Sequence, residues 1–202
     1  MSPRTLSAAT EPVDRCFVLH GVSWGQYEAL TVAIGDNPGI RTTYLEGELE
    51  IMSPGRRHEH LAKFLARLVE AYADVRELSL NGFKSETLRR KAKRASASPD
   101  ECYRLGHATG MPDLAIEVVV TSGGVDKLDA YRLLSIGEVW FWQGEKLAIY
   151  HLGSGGTYSR SRRSRVLKGF PVLQAEEIMK NTDPAHQAEA VRRFRRSLET
   201  RG

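Results

Sequence analysis

The chain has 202 residues, 41% of them hydrophobic, which is enough to bury a sizeable core in one compact α/β domain. The two cysteines, Cys16 and Cys102, lie far apart in sequence and exclude a disulfide framework or a cysteine-rich zinc site. The N-terminal residues lack the apolar core of a signal peptide, and no apolar run approaches the roughly 18 residues of a membrane span. We therefore expect a protein of the reducing cytoplasm with no membrane partner.

In chain order, the pattern of residues in the first half of the sequence predicts short strands around one long helix. Residues 1–22 are expected to form a flexible N-terminal segment, and a helix begins after Ser23. Thr43–Met52 alternates around the turn Glu46-Gly47, as a hairpin does. Apolar residues three and four apart predict a long helix over Arg57–Ala73. The main domain is expected to span residues 23–180.

The second half continues the alternation of strands and helices. The basic, Ser- and Ala-rich residues 89–98 are expected to form an exposed loop. The aromatic strand Val139–Trp142 is interpreted as sheet core rather than as a platform for base stacking. Residues 181–202 are expected to form a basic C-terminal helix, packed on the domain or extending from it. The other predicted elements are strands over 77–83, 84–88, 100–105, 112–120, 138–142 and 147–152 and near Tyr158, and a helix over 125–135.

Two acids interrupt the strand PDLAIEVVV at residues 112–120. Alternation places Asp113 and Glu117 on one face and the larger apolar residues on the other, as a half-buried strand requires. Four strand residues separate the two acids by roughly 13 Å, so they cannot share one metal ion. Glu117 needs a partner on a neighbouring strand.

Asp100 is the candidate partner of Glu117. A hairpin centred between Ala108 and Thr109 would place the two carboxylates opposite each other, where like charges destabilise unless a cation lies nearby. A divalent cation would compensate, polarise a phosphate and lower the pKa of a bound water. The alternative is a bulged loop that shifts the register and leaves both acids solvated.

Lys127 lies in the first turn of the following helix, where the dipole disfavours a cation unless an acid or phosphate is near. It is either an ordinary surface lysine or the third member of a phosphodiesterase site. His58-Glu59-His60 is not a zinc motif, because its two rings point about 200° apart on a helix.

Three basic clusters suggest a phosphate-bearing partner, because the formal net charge of +4 is modest and the distribution of charge matters more. Each cluster alone is also typical of a solvated surface. The clusters are residues 89–94, 160–165 and 192–196, and the candidate nucleic-acid contacts within them are Arg89, Arg90, Lys91, Arg162 and Arg163.

The ordered set of short motifs resembles the Uma-two restriction-endonuclease family of the PD-(D/E)XK nuclease superfamily. The resemblance covers about Ser23 to Leu152. It is carried by the motifs YLEGEL at 44–49, MSP at 52–54, HEH at 58–60, PDECY at 99–103, PDLAIEV at 112–118 and KLDAY at 127–131.

This resemblance implies a restriction-endonuclease-like α/β (α+β) fold, with a mixed central sheet flanked by helices and an N-terminal hairpin. It also implies catalytic roles for Asp100 and Glu117. The superfamily lysine lies two residues after the second acid, where this chain has Val119, so Lys127 resembles a migrated lysine. Glu48 matches the family's early acidic position as a further metal ligand. Asp113 and Glu59 are possible accessory residues.

The expected function is that of a hydrolase, an endonuclease that uses Mg²⁺ or Mn²⁺ held by Asp100 and Glu117 to cleave phosphodiester bonds in nucleic acid. The alternatives are a catalytically inactive nucleic-acid-binding or scaffold protein with the same fold, and a purely structural partner protein. DNA is the preferred substrate. The sequence leaves open DNA against RNA, the sequence or structure recognised, and a homodimer against a monomer.

Overall fold

The computed structural model describes residues 13–35, 37, 39–84, 86–106, 109–120 and 124–200. No helix in this part of the chain is both long enough and apolar enough to cross a membrane. The strands are β1 (Arg15–Leu19), β2 (Arg41–Leu45), β3 (Glu48–Ser53), β4 (Leu80–Gly82), β5 (Leu88–Arg90), β6 (Ala95–Ala97), β7 (Glu101–Leu105), β8 (Leu114–Val119), β9 (Glu138–Gln143), β10 (Lys146–Leu152) and β11 (Tyr158–Ser161). The helices are α1 (Trp24–Ile34), α2 (Arg56–Val75), α3 (Lys127–Leu134), α4 (Val172–Asn181) and α5 (Gln187–Glu199), with 3₁₀ turns at Lys91–Lys93 and Pro184–His186.

The strands form two sheets. The large sheet has the order β11-β10-β9-β8-β7-β4, and it is mixed because β8 and β9 are parallel while the other neighbours are antiparallel. The small sheet has the order β1-β3-β2-β6-β5 and is antiparallel throughout. A mixed sheet flanked by helices, with the hairpin β2–β3 near the N-terminus, confirms the predicted fold class.

One face of the large sheet is covered by α2, α4 and α5. The apolar residues of α2 recur at helical spacing, so that Leu65 and Leu68 lie on the buried side with their neighbours. In α5 the buried residues Ala190, Phe194 and Leu198 are four apart and pack into the same core. The predicted basic C-terminal helix therefore packs on the domain, and its arginines occupy the outer side.

The other face of the large sheet is covered by α3 and the small sheet. Ala115 and Val139 of the large sheet share a core with Ala97 of β6 and Tyr131 of α3. β8 is consequently buried on both faces, and the prediction of a half-buried strand is wrong. The alternation itself is correct, but the face that carries Glu117 is also inside the protein.

The segment predicted to be an exposed loop at 89–98 contains an internal strand. β6 lies between β2 and β5, and its three residues are fully buried. Their small side chains allow α3 to pack closely on β6, and the Tyr27 hydroxyl of α1 lies 2.6 Å from Ser96 Oγ. The segment resembled a loop because it is rich in Ser and Ala, but these small residues are needed for close packing.

The N-terminal region also departs from the expectation of flexibility over 1–22. Residues 1–12 lie outside the described part of the chain, but Arg15–Leu19 forms β1 and pairs with β3 along its whole length. α4 was not predicted. The strand at the edge of the small sheet places Asp14 beside the start of α2, where it enters the site described below.

Candidate active site

Asp100 and Glu117 face each other across the antiparallel pair β7–β8. The ladder pairs Glu101 with Ile116 and Cys102 with Ala115, so the next opposed positions are 100 and 117. Asp100 N donates to the carbonyl of Ile116 at 3.2 Å. The predicted register is confirmed, although residues 107 and 108 at the hairpin centre lie outside the described residues.

Glu117 is held by two side chains from α3. Lys127 Nζ lies 2.8 Å from Glu117 Oε2, and the Tyr131 hydroxyl donates a short hydrogen bond to Oε1. Lys127 and Tyr131 are four residues apart and thus share one side of the helix. Burial raises the pKa of Glu117, and Lys127 opposes this effect. A lysine in the first turn of a helix is unfavourable unless an acid is near, and Glu117 is that acid for Lys127.

Asp100 terminates a chain of three buried side chains. Asp14 Oδ2 lies 3.0 Å from His58 Nδ1, and His58 Nε2 lies 2.9 Å from Asp100 Oδ2 without the alignment of a hydrogen bond. Burial alone would lower the pKa of His58, but the two carboxylates outweigh it and raise the pKa to about 9. His58 is therefore an imidazolium at neutral pH and neutralises part of the charge of both acids.

The remaining contacts orient Asp100. Val118 N donates to Asp100 Oδ2 at 2.8 Å, and Arg41 Nε lies 3.8 Å from Oδ1. Burial acts to raise the pKa of Asp100, but the contact and the charge of His58 outweigh burial and lower it. Asp100 is thus ionised, with Oδ2 fixed by two partners and Oδ1 making no hydrogen bond among the described residues.

Glu50 joins the cluster on β3, and the sequence analysis missed it. Its Oε1 lies 3.7 Å from Lys127 Nζ, while Oε2 accepts a hydrogen bond from Val125 N at 3.1 Å. Gly124 makes this approach possible, because a Cβ at this position would lie 1.9 Å from Glu50 Oε2. Lys127 therefore lies between two carboxylates, and its pKa is raised because their charges outweigh its burial.

Glu48, predicted as a further metal ligand, and the possible accessory acids Asp113 and Glu59 lie apart from this cluster. Glu48 is half exposed and pairs with His20 at 3.1 Å, two residues before the acid that reaches Lys127. Asp113 accepts a hydrogen bond from Leu105 N at 2.7 Å at the hairpin end of β8. Glu59 is linked to the cluster through Arg41, whose Nη2 lies 3.0 Å from Glu59 Oε1.

The basic residues predicted to bind nucleic acid fall into two groups. Arg89 stacks on Tyr27, Arg90 donates to Ser135 Oγ at 2.6 Å, and Lys91 lies 3.4 Å from Glu28, so internal partners hold this group. Arg162 and Arg163 are exposed in the segment that follows β11.

Sequence reasoning also missed Asp14, Arg41, His58 and Tyr131. Tyr131 could have been found from its position four residues after Lys127. Glu50 could have been found as the next residue on the face of Glu48, since strand side chains alternate. Asp14 carries no local signal, because only the pairing of β1 with β3 brings it to His58.

A cleft of about 360 Å³ leads to the cluster from outside. Its polar end is formed by Lys127, Glu50 and Asp14, and its walls are largely apolar. The side chains of Asp100 and Glu117 are each only 1% exposed, whereas that of Lys127 is 15% exposed. Lys127 is therefore the member of the predicted catalytic set that reaches the cleft.

The donor atoms fit a metal ion held by few protein ligands. No three His, Cys, Asp or Glu side chains within the described ranges are grouped as a complete metal site. Two opposed carboxylates suffice for Mg²⁺, which is usually bound by one or two carboxylates together with water and substrate phosphate. Asp100 Oδ1 is buried, makes no hydrogen bond in this part of the chain and lies 3.8 Å from Arg41 Nε, so an ion bound there would share this oxygen with Arg41.

Comparison with known proteins identifies the family. The chain matches the model of the Uma2 family, described as "Putative restriction endonuclease", over residues 24–186. A search of curated proteins found no significant match. The matched region is most of the chain and includes Asp100, Glu117 and Lys127 but not Asp14. The protein therefore belongs to the Uma2 family, whose members have a restriction-endonuclease-like fold.

Proposed function

We propose that this protein is an endonuclease that hydrolyses phosphodiester bonds in nucleic acid with the help of Mg²⁺ or Mn²⁺. The observation that carries the proposal is the placement of Asp100 opposite Glu117, with Lys127 bound to Glu117 at the end of an open cleft. Two carboxylates and a lysine are the residue types that a metal-assisted displacement at phosphorus requires. Membership of the Uma2 family supports a nuclease.

Each residue has a defined part in this proposal. Asp100 and Glu117 would hold the ion, which supplies Lewis-acid activation of the phosphate and an activated water. Lys127 would stabilise the negative charge that develops on the phosphate, because it is the cation that reaches the cleft. His58 and Tyr131 act as positioning residues, since they contact the two acids from inside the protein.

We further propose that DNA is the preferred substrate and that Arg162 and Arg163 contact its phosphates. Both arginines are exposed. Arg89 and Lys91 are exposed too, but the group at Arg89–Lys91 already contacts Tyr27, Ser135 and Glu28. Contacts of this kind fix the position of the backbone without reading its sequence. Arg89, Arg90 and Lys91 are expected to contribute less, because binding a phosphate would break contacts that they already make.

A second candidate function is an inactive nucleic-acid-binding or scaffold protein with a nuclease-like fold. The observation that favours it is that the protein's own cations already neutralise both acids, with Lys127 on Glu117 and His58 on Asp100. An ion would have to enter a cluster that is sealed from solvent on the side of the acids. The two functions differ in whether metal binds and whether a bond is cut.

Metal binding is tested by titrating the protein with Mn²⁺ in a calorimeter. The native protein should release or absorb heat at one site per chain, and Glu117→Gln should remove that signal. Glu101→Gln is the matched control. Glu101 is also a buried acid, but its side chain leaves β7 on the face opposite to that of Asp100. Equal heats for the native protein and Glu117→Gln would reject the metal site.

Cleavage is tested with labelled DNA and RNA in the presence of Mg²⁺ or Mn²⁺, with a chelator as the blank. The native protein and Glu101→Gln should produce fragments, and Glu117→Gln should not. If the native protein binds nucleic acid but cuts none of the substrates, the binding function replaces the proposed one.

A further inference from the structure

The cleft beside Lys127 has an aromatic wall that the catalytic cluster does not use. Phe141 of β9 and Tyr150 of β10 meet edge to face, with ring centroids 5.9 Å apart and planes at 84°. Both line the cleft and are half-buried. Their neighbours on β9, Trp140 and Trp142, alternate to the opposite face and are buried in the main core.

This alternation refines the interpretation of the aromatic strand. Trp140 and Trp142 are sheet core, as predicted, but Phe141 presents its ring to a cleft that opens to solvent. Phe141 also packs against the core shared by α3 and the small sheet, so the part of its ring that lines the cleft is the part on which a nucleobase could stack.

The cleft combines an apolar part with a charged end. Val119, Leu128 and Ala148 complete the walls around the rings, while Lys127 and Glu50 form the end nearest Glu117. A nucleotide has the same two parts, a flat base and an anionic phosphate. With the phosphate at Lys127, the attached base would lie against the aromatic wall.

The size of the cleft is sufficient for a nucleobase. About 360 Å³ lies at the lower end of the range for small-molecule pockets and can hold one base. A base that is paired and stacked in a duplex would first have to leave the helix. An unpaired base enters without that cost.

Basic residues outside the cleft are placed to contact the backbone of a nucleic acid whose base lies in the cleft. Arg160 of β11 is paired directly with Tyr150 of β10, so their side chains leave the same face of the sheet about 5 Å apart. Arg160 is exposed, and it is followed by Arg162 and Arg163. The backbone of a strand whose base enters the cleft would therefore pass a row of cations.

We propose that the cleft between Phe141, Tyr150 and Lys127 binds one unstacked nucleobase next to the scissile phosphate, so that the substrate is single-stranded or locally unpaired nucleic acid. The cleavage of the phosphate next to the bound base rests on the proposed nuclease function, but the binding of the base does not require turnover. The two ideas can consequently be tested apart.

The probe is a single-stranded oligonucleotide that contains 2-aminopurine, whose fluorescence reports stacking, titrated with protein in the presence of a chelator so that no cutting occurs. Phe141→Leu and Tyr150→Leu, which remove a ring and keep apolar volume, should each weaken binding about tenfold. Phe141→Tyr, which keeps an aromatic ring, should bind the oligonucleotide as tightly as the native protein does. Phe17→Leu is the matched control, because Phe17 is an aromatic residue on β1 that is 68% exposed and does not line the cleft.

A duplex of the same sequence should bind more weakly and should not respond to Phe141→Leu. Equal binding of the single strand by the native protein and Phe141→Leu, or a duplex preferred over the single strand, would overturn the proposal. If the ring variants lose binding but the native protein with Mg²⁺ cuts nothing, the base site stands and the nuclease function fails. If the protein cuts duplex DNA and the ring variants cut equally well, the nuclease function stands and the base site fails.

Discussion

His58 lies between two buried carboxylates, and its charge determines whether Asp14 and Asp100 can remain close together. The sequence predicted that opposed acids would need an added cation. The structure provides compensation from within, with His58 beside Asp100 and Lys127 beside Glu117. At the scale of single residues, the protein's own cations neutralise the acid pair.

This arrangement makes stability depend on pH. The pKa of His58 is raised to about 9 in the folded protein, above its unfolded value near 6.5, so its contribution is complete below pH 6.5 and is lost as the pH rises through 9. We expect the free energy of unfolding to fall by about 3 kcal/mol over this window. Urea denaturation at several pH values measures this fall.

His58→Gln should lower stability at pH 6.5 and remove most of the pH dependence between 6.5 and 9. His20→Gln is the control, because His20 is exposed and pairs with the half-exposed Glu48. An unchanged slope in His58→Gln would show that another group titrates there.

Gly124 is a second residue whose identity is determined by its surroundings in the site. Its φ of +123° and the 1.9 Å approach of a Cβ to Glu50 Oε2 both exclude a side chain. We expect Gly124→Ala to destabilise the protein by about 2 kcal/mol, measured by denaturation. In a Glu50→Ala background the steric part should disappear and the cost should be smaller. Equal costs in both backgrounds would mean that Glu50 does not occupy this position.

At the scale of elements, local patterns predicted what depends on local chemistry. The spacing in α2 and the alternation in β2–β3 and β8 gave helices and strands close to those observed. The register of β7 against β8 followed because the two strands are joined by a short connection. Asp100 and Glu117 could therefore be paired from the sequence.

The parts of the site that depend on distant contacts could not be predicted. β6 resembles a loop because its small residues are selected by neighbours on α1 and α3, far away in sequence. Asp14 reaches His58 only because β1 joins the edge of the small sheet. Glu50 rather than Glu48 enters the cluster because Val125 N donates to Glu50 and Gly124 leaves room for its carboxylate.

Glu138 shows how one residue fixes an element outside the site. It is buried at the start of β9 and accepts hydrogen bonds from Trp140 Nε1 at 2.6 Å, from Ser164 Oγ at 2.5 Å and from the backbone N–H groups of Arg165 and Val166. It thereby fixes the segment that follows Arg162 and Arg163.

Glu138→Ala would leave these donors buried without an acceptor, so we expect a loss of about 3 kcal/mol or more in the free energy of unfolding. Glu199→Ala, at an exposed position in the last turn of α5, is the control and should change stability little. A loss below about 1 kcal/mol for Glu138→Ala would mean that water replaces the carboxylate without cost.

At the scale of the whole molecule, the basic surface should govern affinity for nucleic acid. If Arg162 and Arg163 contact phosphates, affinity should fall steeply between low and physiological salt. Replacing both by Gln should reduce the salt slope by about 2, and replacing Arg89 and Arg90 should reduce it less, because those residues have internal partners. Fluorescence anisotropy at several salt concentrations measures these slopes. Binding that does not depend on salt would reject the proposed surface.

The central claim is that Asp100, Glu117 and Lys127 form a phosphodiester-cleaving site. The most direct measurement is single-turnover cleavage of labelled single-stranded, duplex and branched substrates with Mg²⁺ and Mn²⁺, performed with native protein and Lys127→Ala alongside binding measurements. Lys127→Ala should bind metal and nucleic acid within a few fold of the native protein and cleave about a hundredfold or more slowly, because one preorganised donor is lost at the transition state. Native protein that binds but cuts none of the substrates, or a variant that cuts as fast as the native protein, would contradict the account.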